Sequence, residues 1–112
     1  MRLALYRFAR KLKRIFSTAQ VPLEIAFVPS APRLLRKDTV YLVTEDGEPW
    51  TVAMLCPCGC SEVLFMSLIE GSPQWTHECH RNGTVSLHPS IWRVAGCRSH
   101  FFLRNGRICW CK

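Results

Sequence analysis

Cys56-Pro57-Cys58-Gly59-Cys60 sets three thiols into five residues. Proline fixes φ in that segment and glycine permits conformations closed to other residues, so it reads as a tight turn with its sulfurs close together. Amides aimed inward by such a turn stabilise metal-bound sulfur. One turn seldom completes a four-coordinate zinc, so a second ligand cluster is expected elsewhere. Cys97-Arg98-Ser99-His100 supplies Cys-x-x-His downstream, just before an apolar strand pattern. Two clusters carried by two hairpins are the build of a zinc-ribbon-like site, although the usual knuckle is Cys-x-x-Cys. The zinc-ligand candidates are therefore Cys56, Cys58, Cys60, Cys97 and His100, of which three or four can surround one tetrahedral ion. Buried free thiols and a redox-active dithiol remain alternatives.

Glu62 follows Cys60 by two residues. Its carboxylate is placed to act as general base on a metal-bound water, or simply to face solvent at a strand start. Ser90 and Ser99 are candidate hydroxyls in the stretch that leads to and includes Cys97-Arg98-Ser99-His100. Ser90 follows Pro89 and also suits a turn or cap. Ser99 lies between Cys97 and His100 and also suits support of the ligand loop. Cys109 and Cys111 alternate around Trp110 on a strand pattern and, with Cys79, read as core or incidental thiols. His77, His80 and His88 read as packed or surface residues.

These groups must be positioned by a mainly β chain. Two Asn-Gly pairs predict hairpins: Asn82-Gly83, between residues 74–80 and 84–87, and Asn105-Gly106, between residues 101–104 and 107–111. Residues 39–43, 50–55 and 62–68 read as further strands, with Glu45-Asp46-Gly47-Glu48 as a turn. The expected fold is a small antiparallel zinc-stapled β domain over residues 38–112. Residues 21–37, with Pro22, Pro29 and Pro32, read as a linker that admits a short strand at 23–28. Residues 1–20 read as a basic amphipathic helix. Leu5, Phe8, Ala9, Leu12, Ile15 and Phe16 share one face, opposite Arg7, Arg10, Lys11, Lys13 and Arg14.

Length and composition limit the function classes. A chain of 112 residues is one domain with a short appendage, and 48% hydrophobic against 21% charged residues is ordinary for a globular protein. No uncharged apolar run approaches the roughly 20 residues of a membrane span. Seven cysteines, an odd number, exclude a fully paired intramolecular disulfide framework. Basic residues interrupt the apolar start, so no secretory signal is expected and the cytoplasm is the expected compartment. The net charge of +7 is uneven. Arg2, Arg7, Arg10, Lys11, Lys13 and Arg14 fall within the first twenty residues, which hold no acid; the rest carries nine basic and eight acidic side chains. A near-neutral β region argues against nucleic acid as the partner. The basic helix over residues 3–16 fits either an anionic membrane surface, peripheral at the inner face, or a packing role with its charges in water.

Four segments together carry a resemblance. They are Cys56-Pro57-Cys58-Gly59-Cys60-Ser61-Glu62, Val85-Ser86-Leu87-His88-Pro89-Ser90-Ile91, Gly96-Cys97-Arg98-Ser99-His100-Phe101-Phe102 and Asn105-Gly106-Arg107-Ile108-Cys109-Trp110. Over roughly residues 38–111 the chain resembles a small bacterial family long known only as a domain of unknown function. Its members often lie beside genes for ubiquitin-like modifiers and their activating and conjugating enzymes, in operons linked to phage defence. The family's turn usually has glycine where this chain has Ser61. The resemblance implies a zinc-binding partner of such a system, with the ubiquitin-like modifier or its activating or conjugating enzyme as the protein it meets. In the peptidase form of that expectation, zinc keeps an open position, Glu62 is the base, and Ser90 or Ser99 donates to the oxyanion. The alternatives are a non-catalytic zinc-stapled binding module and, further behind, a nucleic-acid-binding zinc ribbon. A closed four-ligand zinc site would defeat the zinc-peptidase scheme.

Overall fold

The computed structural model of the protein describes residues 21–111. The expected basic helix and its membrane-facing role lie outside the described residues.

Eight strands form two four-stranded sheets. One sheet orders β1 (Glu24–Val28), β2 (Thr39–Glu45), β3 (Glu48–Leu55) and β4 (Val63–Ser67) side by side. The other orders β5 (Thr76–Cys79), β6 (Val85–Trp92), β7 (His100–Arg104) and β8 (Arg107–Trp110). Alternate residues of β2, β3 and β7 face the opposite sheet, and on β2 and β3 the residues between them, Tyr41, Val43, Thr51 and Ala53, are buried as well. Val40, Leu42, Val52, Met54, Leu64 and Met66 from the first sheet meet Val85, Leu87, Ile91, Phe101 and Leu103 from the second in one core. The molecule is therefore a β-sandwich, mainly β as expected.

The turns form where the sequence places them. Asn105 and Gly106 take φ of 51° and 76°, a two-residue connection between β7 and β8, and Asp46 and Gly47 take 54° and 81° between β2 and β3. Positive φ at both central positions matches the twist of the paired strands, which is why Asn-Gly and Asp-Gly serve here.

One pairing departs from the antiparallel expectation. β1 runs parallel to β2, with Glu24 opposite Thr39 and Val28 opposite Val43. Residues 24–28 of the expected linker thus belong to the sheet, and the proline-containing stretch that follows carries the chain back to the start of β2. The Gly106 carbonyl accepts from Leu23 N–H at 2.8 Å and the Gly83 carbonyl from Ile25 N–H at 3.0 Å, which joins β1 to the hairpin tips of the other sheet.

A second irregularity shapes the site. β6 and β7 pair at Leu87 with Leu103 and at Ile91 with Phe101. His88, Pro89 and Ser90 therefore stand opposite Phe102 alone. Pro89 has no N–H to give the ladder, so the strand bulges there. Leu87 and Ile91 keep their inward direction, while Ser90 is lifted on the outer face.

Candidate active site and sulfur cluster

The Ser90 hydroxyl oxygen lies 2.9 Å from His100 Nε2. Ser90 and Trp92 are two apart on β6 and share the outer face; Ile91 between them is buried. His100 opens β7 directly across from Trp92, and their rings stack at 4.7 Å between centroids with 12° between planes. Both backbones are held. Trp75 Nε1–H donates to the Ser90 carbonyl at 3.2 Å, and Cys111 N–H donates to the His100 carbonyl at 2.9 Å. Ser90 and His100 are both half-buried, so an extended chain can reach them from the sheet face.

A hydroxyl within hydrogen-bond reach of an imidazole is the elementary unit of nucleophilic acyl transfer. A second such pair exists: Ser86 Oγ lies 2.8 Å from His80 Nε2. That hydroxyl also accepts from Asn105 N–H at 2.8 Å, and Ser86 is only 7% exposed. It pins one hairpin tip to another and leaves no approach for a substrate carbonyl.

The cysteine turn forms a separate centre. The sulfurs of Cys56, Cys58, Cys60 and Cys97 all lie within 4.8 Å of one another. Cys56 Sγ is 3.5 Å from Cys58 Sγ and 3.6 Å from Cys97 Sγ, and all the cysteines are free thiols. Tetrahedral zinc with Zn–S near 2.3 Å requires sulfurs about 3.8 Å apart, so the donor set fits that ion. Gly59, at φ +92°, turns the loop so that its N–H reaches the Cys56 carbonyl at 3.2 Å. The Glu62 carbonyl accepts from Cys56 N–H at 2.8 Å and closes it.

The surroundings favour thiolate. Ser99 Oγ lies 3.1 Å from Cys97 Sγ and 3.5 Å from Cys56 Sγ. Arg93 Nη1 lies 3.3 Å from Cys97 Sγ and 3.6 Å from Cys60 Sγ. The hydroxyl and amide of Ser99 hold the Cys97 thiol down at about 6, and the Ser99 hydroxyl also lowers Cys58. The Glu62 amide favours the Cys60 thiolate, but burial and the neighbouring sulfurs outweigh it and push that thiol up to about 11. Bound metal would replace this uneven distribution with four thiolates, whose charge the Arg93 guanidinium offsets.

The expected site residues thus divide. Cys56, Cys58, Cys60 and Cys97 come together. His100 stands apart from the sulfurs, because β-strand alternation turns it to the outer face beside Ser90. Ser99 is buried against the sulfurs and does not line the exposed face. Glu62 has an exposed side chain, and its carbonyl, not its carboxylate, supports the turn. Arg93 and Trp92 were not among the expected site residues. Arg93 carried a signal, being a cation three residues beyond Ser90 and four before Cys97. The position of Trp92 depends on strand register.

No curated protein and no solved structure shows significant similarity to the chain. A family model does match it over residues 27–111, nearly the whole described sandwich, and its description names the kind of enzyme whose simplest working part is a hydroxyl beside an imidazole. On that match the chain belongs to the family described as bacterial ubiquitination-like system serine protease (BubE).

Proposed function

We propose that the protein is a serine peptidase that cleaves the acyl bond at the C-terminal tail of a ubiquitin-like modifier, with Ser90 as nucleophile and His100 as general base. The observation that carries this reading is the 2.9 Å contact between Ser90 Oγ and His100 Nε2 on an open sheet face. Ser90 Oγ attacks the tail's last carbonyl carbon while His100 Nε2 takes the hydroxyl proton. As the tetrahedral intermediate collapses, His100 returns that proton to the leaving amine, and the acyl group stays on Ser90. Water then attacks the ester while His100 takes its proton; the second intermediate collapses by breaking the bond to Ser90 Oγ, His100 returns the proton to that oxygen, and the modifier leaves with a free carboxylate.

The sulfur cluster takes zinc in a structural role. Four thiolates around one ion leave no position for a substrate water, which removes the basis for Glu62 as a metal-assisted base. Cys97 and His100 are three residues apart, so a clamp on Cys97 also fixes the start of β7. Ser99 supports the thiolates and is not assigned to the oxyanion.

The test is a modifier carrying a C-terminal extension, incubated with the zinc-loaded protein, Ser90→Ala and Glu62→Gln. Cleavage by the wild type and Glu62→Gln but not by Ser90→Ala is expected. Retained cleavage by Ser90→Ala, with loss in Glu62→Gln, would return the chemistry to the metal.

A further inference from the structure

We infer that Trp92 is the positioning residue of this site, taking through its indole face the part that a carboxylate plays in a triad. The inference rests on the Ser90–His100 assignment above. A serine nucleophile needs a base whose ring is held in one plane and whose protonated form is stabilised as the proton arrives. An acid commonly supplies both. All eight acidic side chains of this sequence fall within the described residues. Among the described residues the only ion pair is Arg36 with Asp38, and no carboxylate hydrogen-bonds His100.

What does meet the His100 ring is Trp92. The stack is nearly parallel, 12° between planes and 4.7 Å between centroids. It is built into the register, since Trp92 and His100 are directly paired across β6 and β7. Ser90 sits two residues back on the same strand and face, so β6 carries both the nucleophile and the surface that orients the base. Stacking against one ring face resists rotation of the imidazole out of line with Ser90 Oγ. Core packing does not account for this tryptophan, which is 63% exposed.

A small organophosphorus fluoridate separates this role from substrate binding, because it needs the dyad but no modifier tail. Ser90 Oγ displaces fluoride from phosphorus and passes its proton to His100. The zinc-loaded protein is compared with Trp92→Phe, Trp92→Leu and Ser90→Ala, with the labelled residue identified by mass spectrometry. The expected result is labelling at Ser90 that slows about tenfold in Trp92→Leu and returns to near the wild-type rate in Trp92→Phe. Modifier cleavage should lose kcat in step, with KM unchanged. Wild-type labelling with an undiminished rate in Trp92→Leu overturns the role of Trp92 and leaves the dyad standing. A wild type that is not labelled at Ser90 overturns both. One further measurement needs no variant: the ring protons of His100 should resonate upfield of those of exposed His88, shielded by the indole. Unshifted His100 protons in the folded protein would also overturn the inference.

Discussion

Arg93 N–H donates to the Ser99 carbonyl at 2.8 Å, and this one backbone bond ties the strand that bears Ser90 to the loop that joins Cys97 to His100. Arg93 stands three residues beyond Ser90, and its guanidinium reaches the sulfurs. Ser99 is next to His100, and its hydroxyl reaches the same sulfurs. The sulfur cluster and the Ser90–His100 pair are thus neighbours in the chain but separate groups in space.

Removing either member of the dyad should abolish cleavage without harming the fold. Ser90→Ala and His100→Ala are each expected to lower kcat about a thousandfold or more, and the double variant should lose little beyond that, since the two act as a unit. Circular dichroism and zinc content should match the wild type. Zinc loss from His100→Ala would instead make His100 a ligand.

Metal removal should act through the fold. Chelation is expected to lower the thermal midpoint and to stop cleavage as the 97–99 loop loosens. Reloading with cadmium, which accepts the same four thiolates, should restore the rate to within about twofold if the metal is structural. A rate that changes strongly with the identity of the metal would place the ion in the reaction.

Ser99→Ala should separate the two centres. Its hydroxyl supports the thiolates, so loss of it is expected to weaken zinc affinity about 10- to 100-fold. At saturating zinc, cleavage should stay near the wild-type rate. A large fall in kcat with zinc fully bound would show that the hydroxyl serves the reaction itself.

Thiol reactivity in freshly stripped protein, kept folded in the cold, should follow the local hydrogen bonds. Cys97, held near 6 first by the Ser99 hydroxyl, is mainly thiolate at neutral pH; Cys60, near 11, is mainly thiol. Iodoacetamide should therefore modify Cys97 before Cys60 at neutral pH. Acidification through 6 should slow the Cys97 reaction, because protons then bind its sulfur. Peptide mapping reads the order directly, and zinc should protect both sites.

Gly106→Ala should be strongly destabilising. Gly106 has φ +76°, and an added Cβ would lie 2.8 Å from the Leu23 carbonyl oxygen and 2.9 Å from Thr84 Cβ. Backbone strain and overpacking together are expected to cost about 2–4 kcal/mol, read as a lower urea midpoint. Gly47→Ala, where nothing lies within 4 Å of the added atom, should cost only the backbone strain.

The sequence by itself determined the hairpins and the sulfur donors. Asn105-Gly106 and Asp46-Gly47 dictate their turns through local backbone energetics, and Cys56, Cys58 and Cys60 are brought together by Pro57 and Gly59 over five residues. Those are short-range effects, so sequence spacing reads them. Tertiary structure decided the rest. Cys-x-x-His reads as one ligand pair, yet the turn before β7 sends Cys97 to the sulfurs while the pleat and register of β7 send His100 to Ser90. Only the bulge at Pro89 lifts Ser90 toward that imidazole, and only cross-strand pairing lays Trp92 on its face. The parallel docking of β1 likewise depends on hydrogen bonds to Gly83 and Gly106, far away in the chain. Contacts of that kind are set by which strands become neighbours, and no local pattern of residues encodes that choice.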